Sequence, residues 1–171
     1  MNFATVFNPN GGVFVYVPSE HVPEIAFDAR IVDLSRESLT WGTEIPVISE
    51  SGAYTTSIRL IGIPTDPRFR LMLRIYDFDG VDGVQVRVRV FTEADVILAD
   101  QTLAMRKPAG DQPFPFAGYP ATVQVDLTGL VAGSTGRARV EIDPITPGLR
   151  FWAFVSVTHD ETQHVTLITP H

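Results

Sequence analysis

Val84, Val86, Val88 and Val90 alternate with Gln85, Arg87, Arg89 and Phe91. A period of two puts one set of side chains on each face of an extended strand, with the apolar set toward a core. The same period recurs elsewhere. Val123, Val125 and Leu127 alternate with Thr122, Gln124 and Asp126, and Ala138, Val140 and Ile142 with Arg137, Arg139, Glu141 and Asp143. Half-buried antiparallel strands carry this pattern. Strands are expected near 3–7, 13–17, 26–33, 44–48, 54–63, 69–77, 84–91, 95–103, 121–127, 136–142, 150–158 and 163–169. Turn residues separate them at Asn8–Gly12, Asp79–Gly80, Asp82–Gly83, Gly133–Gly136 and Pro144–Gly148. Helical period is nearly absent, and Asp33 to Thr40 is the best short helical candidate.

Short strands at this spacing indicate an all-β, antiparallel β-sandwich, immunoglobulin-like or jelly-roll-like, with about ten short strands. Phe151, Ala153, Val155 and Val157 line one side of a strand, with Trp152 and Phe154 on the other. A strand apolar on both faces is expected to be central and covered on both sides. At 171 residues the chain suits one domain, 1–171, with 1–25 as a peripheral N-terminal hairpin.

The chain has no Cys, so disulfides, Cys-ligated zinc and thiol nucleophiles are excluded. Its net charge of −7 argues against general binding to nucleic acid or anionic membranes. No apolar run is long enough for a transmembrane helix. Met1 to Phe7 has no basic region, and Asn8 to Gly12 interrupts the apolar run. That is not a secretory signal. The expectation is either a cytoplasmic protein or a mature extracellular or cell-surface fragment with an added Met.

The segment Phe69 to Phe91 reads as a hairpin. With Asp79 to Asp82 as a four-residue loop, Ile75 faces Val86 and Leu73 faces Val88. Arg74 then lies opposite Arg87 and Met72 opposite Arg89. Opposed like charges need neutralising. An acidic glycan gripped by guanidinium forks would do so, and so would carboxylates on a neighbouring strand. Trp41, Tyr76, Arg74, Arg87 and Arg89 are therefore the candidate glycan contacts, since Trp and Tyr rings stack on sugars.

Asp77, Asp79 and Asp82 cluster around Gly80 and Gly83 and form a candidate Ca²⁺ site. The competing reading is a plain turn, for which Asp-Gly is well suited. His159 and His164 are five apart, with strand-like flanks, so a solvated hairpin loop is favoured over a metal motif. No nucleophile constellation or phosphate-binding loop is present.

Phe3, Phe7 and Phe14 belong to an N-terminal hairpin apolar on both faces. It either packs on the sandwich or completes a neighbouring sheet by strand addition. Arg106 to Pro120 is the longest expected loop, and its Phe114, Phe116 and Tyr119 are candidate contact residues.

Trp41–Val47, Ser57–Leu60, Arg74–Asp77 and Phe151–Thr158 resemble segments of β-sandwich modules in large secreted or surface proteins of environmental bacteria. Their final strand pair often reads as an aromatic-rich strand, a short polar turn and a closing Thr/Ile/Pro strand, and His159 to Pro170 is similar. The resemblance implies an exported immunoglobulin-like module and carries no catalytic motif. The first functional reading is thus a non-catalytic structural, adhesive or assembly module. Its partners would be other copies of itself or neighbouring domains of a larger surface protein. A carbohydrate-binding module comes second, and an enzyme of unidentified chemistry third.

Overall fold

A computed structural model describes residues 4–8, 12–31, 43–107 and 120–171. Among them twelve strands form, and each overlaps one of the expected segments. The helical candidate at Asp33 to Thr40 lies outside the described residues. Described helix is limited to 3-10 turns at Ser19–Glu24 and Glu50–Gly52 and one α-helical turn, α1, at Thr128–Val131.

Eight strands build two four-stranded antiparallel sheets. The first has the order β5 (Ile58–Pro64), β10 (Arg137–Pro144), β7 (Gln85–Thr92), β8 (Ile97–Ala104). The second has the order β12 (Val165–Ile168), β11 (Phe151–His159), β6 (Phe69–Asp77), β9 (Thr122–Asp126). One continuous apolar core lies between them, drawing Leu60, Val86 and Val140 from the first and Leu73, Ile75 and Phe151 from the second. These side chains are at most 1% exposed, which makes the architecture a sandwich.

The remaining strands form two ribbons. β1 (Ala4–Asn8) pairs with β2 (Gly12–Tyr16), with Phe7 opposite Val13 and Val6 opposite Phe14. β3 (Ala29–Ile31) pairs with β4 (Thr43–Ile45).

The Phe69–Phe91 hairpin does not form. β6 pairs with β11 and β9, whereas β7 pairs with β10 and β8. The chain between them arches from one sheet to the other. Ile75 therefore lies opposite Ala153 and Val123, not Val86, and Arg74 opposite Phe154 and Gln124, not Arg87. Leu73 and Met72 likewise lose their expected partners Val88 and Arg89. Strands on either side of a hairpin or of an arch both bury alternate residues, so alternation does not distinguish the two. Asp77 fixes the arch. It is 1% exposed, and its carboxylate accepts the N–H groups of Asp79 at 3.0 Å and Val81 at 2.7 Å. Buried carboxylate oxygens need such donors.

β11 is central, between β12 and β6. Its inner face (Phe151, Ala153, Val155) is fully buried. Trp152, on the outer face, is also buried, at 8%. A bulge in β5 keeps Leu60 and Ile63 both in the core, although three positions apart would otherwise put them on opposite faces. Gly62, within the bulge, takes the left-handed φ of 79° that this shift requires.

Candidate functional site

Three places carry the chemistry that the sequence points to: the outer face of each sheet and the Asp77–Gly83 arch.

The outer face of the first sheet is an ion-pair lattice. β7 supplies Arg87 and Arg89, and β10 supplies Arg139, Glu141 and Asp143, because two-residue spacing brings each set to one face. Arg89 donates to Asp143 at 2.7 Å and pairs with Glu141 at 3.1 Å. Glu141 also takes Arg59 at 3.1 Å and Arg139 at 3.4 Å. Arg139 reaches on to Asp95, in the β7–β8 turn, and stacks over the Phe91 ring at 4.2 Å. Arg87 grips Asp100 of β8 with two bonds, at 2.7 and 2.5 Å. Those bonds hold Asp100 below the usual carboxylate range and raise Arg87 in turn. Arg139 is raised by its bond to Asp95.

The outer face of the second sheet is aromatic. Tyr76 and Phe154 stack at 6.1 Å, and Trp152 lies 5.4 Å from Phe154. Arg74 sits over the Phe154 ring at 5.8 Å and donates to Ser156 at 2.8 Å. Among the described residues no carboxylate pairs with Arg74. Burial pushes the Tyr76 hydroxyl above its ordinary value.

In the arch, the three carboxylates serve three different partners. Asp77 caps backbone N–H groups. Asp79 binds Arg150, whose hydrogen bonds lower its pKa, and Arg150 also reaches Glu50 at 2.8 Å. Asp82 accepts the Lys107 N–H at 3.0 Å, which is the main cause of its lowered pKa. Among the described residues no group of three or more His, Asp or Glu is arranged to hold a metal ion.

Of the glycan-contact candidates, the fold brings Arg74 and Tyr76 together on one face and Arg87 and Arg89 together on the opposite one. Trp41, Phe3, Phe114, Phe116 and Tyr119 lie outside the described residues, and Phe7 and Phe14 lie in β1 and β2. The β7 arginines are neutralised by carboxylates on the neighbouring strands, Asp100, Glu141 and Asp143, which the sequence reading does not single out by number. Their signal is the Glu141-x-Asp143 spacing on a polar strand face, which mirrors Arg87-x-Arg89. The His159–His164 segment is the hairpin loop between β11 and β12, closed by His159 N–H to the His164 carbonyl at 2.9 Å.

An open cleft of about 840 Å³ lies at the β5 and β12 side of the sandwich, floored by Pro64, Phe69, Val157 and Ile168 and bordered by Arg137. Among the described residues no helix is long and apolar enough to cross a membrane. The chain matches no protein-family model, no curated protein and no solved structure at a significant level.

Proposed function

We propose that this chain is a non-catalytic β-sandwich module, extracellular or at a cell surface, with a structural, adhesive or assembly role. The ion-pair lattice supports this reading. Arg59, Arg87, Arg89 and Arg139 are each committed to Asp95, Asp100, Glu141 or Asp143. A catalytic or anion-binding face needs groups held in reserve for substrate. A face neutralised internally is suited to rigidity, leaving edges and rim loops to make contacts. The module's partners are other copies of itself or neighbouring domains of a larger surface protein. Solution mass, with negative-stain microscopy of the same sample, tests the reading. A defined assembly is expected, and uniform single particles of 18.8 kDa at every concentration would contradict self-assembly and leave only neighbouring domains as partners.

Arg74 favours carbohydrate binding as a second reading. It is a cation stacked on the half-buried Phe154 ring with no described carboxylate partner, while the flanking Trp152 and Tyr76 are buried and offer no stacking face. Such a guanidinium suits the carboxylate of a uronic-acid polysaccharide. Tryptophan fluorescence titrated with polygalacturonate tests it. A saturable change lost in Arg74→Met is expected, and a flat titration removes the reading.

A further inference from the structure

A sandwich of two open sheets has four edge strands, and each exposes a row of backbone donors and acceptors. Three of these edges are engaged. The His171 N–H bonds the Arg59 carbonyl of β5 at 3.2 Å. The Thr43 hydroxyl of β4 bonds the Val165 carbonyl of β12 at 2.8 Å. Arg106 and Thr122 of β9 exchange two backbone bonds of 2.9 Å. β8 differs. Outside its ladder with β7, the backbone of Ile97 to Ala104 has no hydrogen bond among the described residues.

β8 also lacks the usual edge protection of Lys or Pro. Its one charge, Asp100, is already neutralised by Arg87. A bulge at Leu98 interrupts the strand near its start, which leaves a regular stretch from Ala99 toward its end. Asp100, Gln101 and Thr102 in that stretch are exposed.

We infer that β8 is a self-association edge, which pairs antiparallel with β8 of a second copy about a two-fold axis through Gln101. The inference rests on the assembly reading above and names its surface. The register follows from parity. For both cores to stay on the same side of a continuous sheet, directly opposed residues must share a face. The axis therefore passes through a residue pair. An axis at Asp100 opposes two carboxylates. An axis at Gln101 uses the whole stretch from Ala99 to Leu103. It sets Asp100 against a Thr102 hydroxyl, Ala99 against Leu103, and Gln101 against its own amide. The Asp100–Thr102 and Gln101–Gln101 pairs can hydrogen-bond, Ala99 leaves room for Leu103, no like charges are opposed, and the two four-stranded sheets become one of eight strands.

The absence of native Cys makes a direct test available. Opposed residues in an antiparallel pair have Cα atoms about 4.5–5.5 Å apart, within disulfide range. Under mild oxidation Gln101→Cys is expected to form a covalent dimer of twice 18.8 kDa, whereas Thr166→Cys, exposed on β12, stays single. Gln101→Lys, which sets two ammonium groups on the axis, is expected to abolish association and to melt where the wild-type chain melts at concentrations too low for it to associate. If the wild-type chain associates but Gln101→Cys does not cross-link, this register is wrong and the assembly reading survives. If the wild-type chain is monomeric at all concentrations, both are wrong. Equal cross-linking of both Cys variants would show non-specific collision and would also overturn the register.

Discussion

Arg89 lies directly opposite Glu141 across the β7–β10 ladder, and its guanidinium also reaches diagonally to Asp143, 2.7 Å away. Arg87 does the same on the other side, bonding Asp100, which is diagonal to it and opposite Arg89. Strand twist brings diagonal neighbours within reach of long side chains. Two arginines on one strand are thereby neutralised by carboxylates on both flanking strands.

Glu141 is the shared acceptor of this lattice and only 9% exposed. Glu141→Ala strips Arg59, Arg89 and Arg139 of a common partner. It is expected to destabilise the fold by about 1–3 kcal/mol. Asp100→Asn, at an exposed pair, is expected to leave Tm almost unchanged. Chemical denaturation of both variants checks this, and equal effects would contradict the hub role of Glu141.

Asp77→Ala removes the acceptor for two N–H groups in the arch, at a site 1% exposed. A loss of about 1–3 kcal/mol is expected, because both donors are left unsatisfied. Asp79 and Asp82 are engaged by Arg150 and Lys107, so melts in millimolar Ca²⁺ and in EDTA should coincide. A higher Tm in Ca²⁺ would show that the arch rearranges to hold the ion.

The strands themselves were legible, because alternation reports burial directly and the Gly and Asp clusters mark where it stops. Pairing was not. Leu73 and Val88 both face the core in the arch, as they would in a hairpin, and nothing local in Asp77 to Val84 distinguishes the two. The two apolar faces of Phe151–Val157 mark a central strand covered on both sides, and Trp152 is buried on its outer face. The bulge at Gly62 has no signature beyond the glycine itself. The candidate arginines were visible as residues. Their division between two faces depended on the arch.

Acidification should weaken the fold. Hydrogen bonds from Arg68 hold Asp66 at about 2, against an ordinary 3.8. Asp79, Asp82, Asp100 and Asp126 are also lowered, by Arg150, by the Lys107 N–H, by Arg87 and by Thr128 respectively. A carboxyl depressed in the folded state binds more protons when unfolded. Its contribution is present above the unfolded pKa and lost as pH falls through the folded one. Tm is therefore expected to drop between about pH 4 and pH 2, and less steeply at high salt, since these pairs are exposed. A Tm that holds or rises across that window would contradict these pairings.

Arg74→Met should separate stability from binding. Its cation–π contact with Phe154 is worth about 0.5–1 kcal/mol, and no ion pair is lost among the described residues. The melt is expected to shift by only a few degrees. A loss as large as that of Glu141→Ala would make Arg74 a structural residue and weaken the carbohydrate reading.

The most direct measurement is light scattering of the wild-type chain and Gln101→Lys on the same column over a range of concentrations. The expected result is a wild-type mass of twice 18.8 kDa that falls to 18.8 kDa in the variant, with a wild-type Tm that rises with concentration and a variant Tm that does not. A wild-type mass of 18.8 kDa at every concentration would contradict the assembly role.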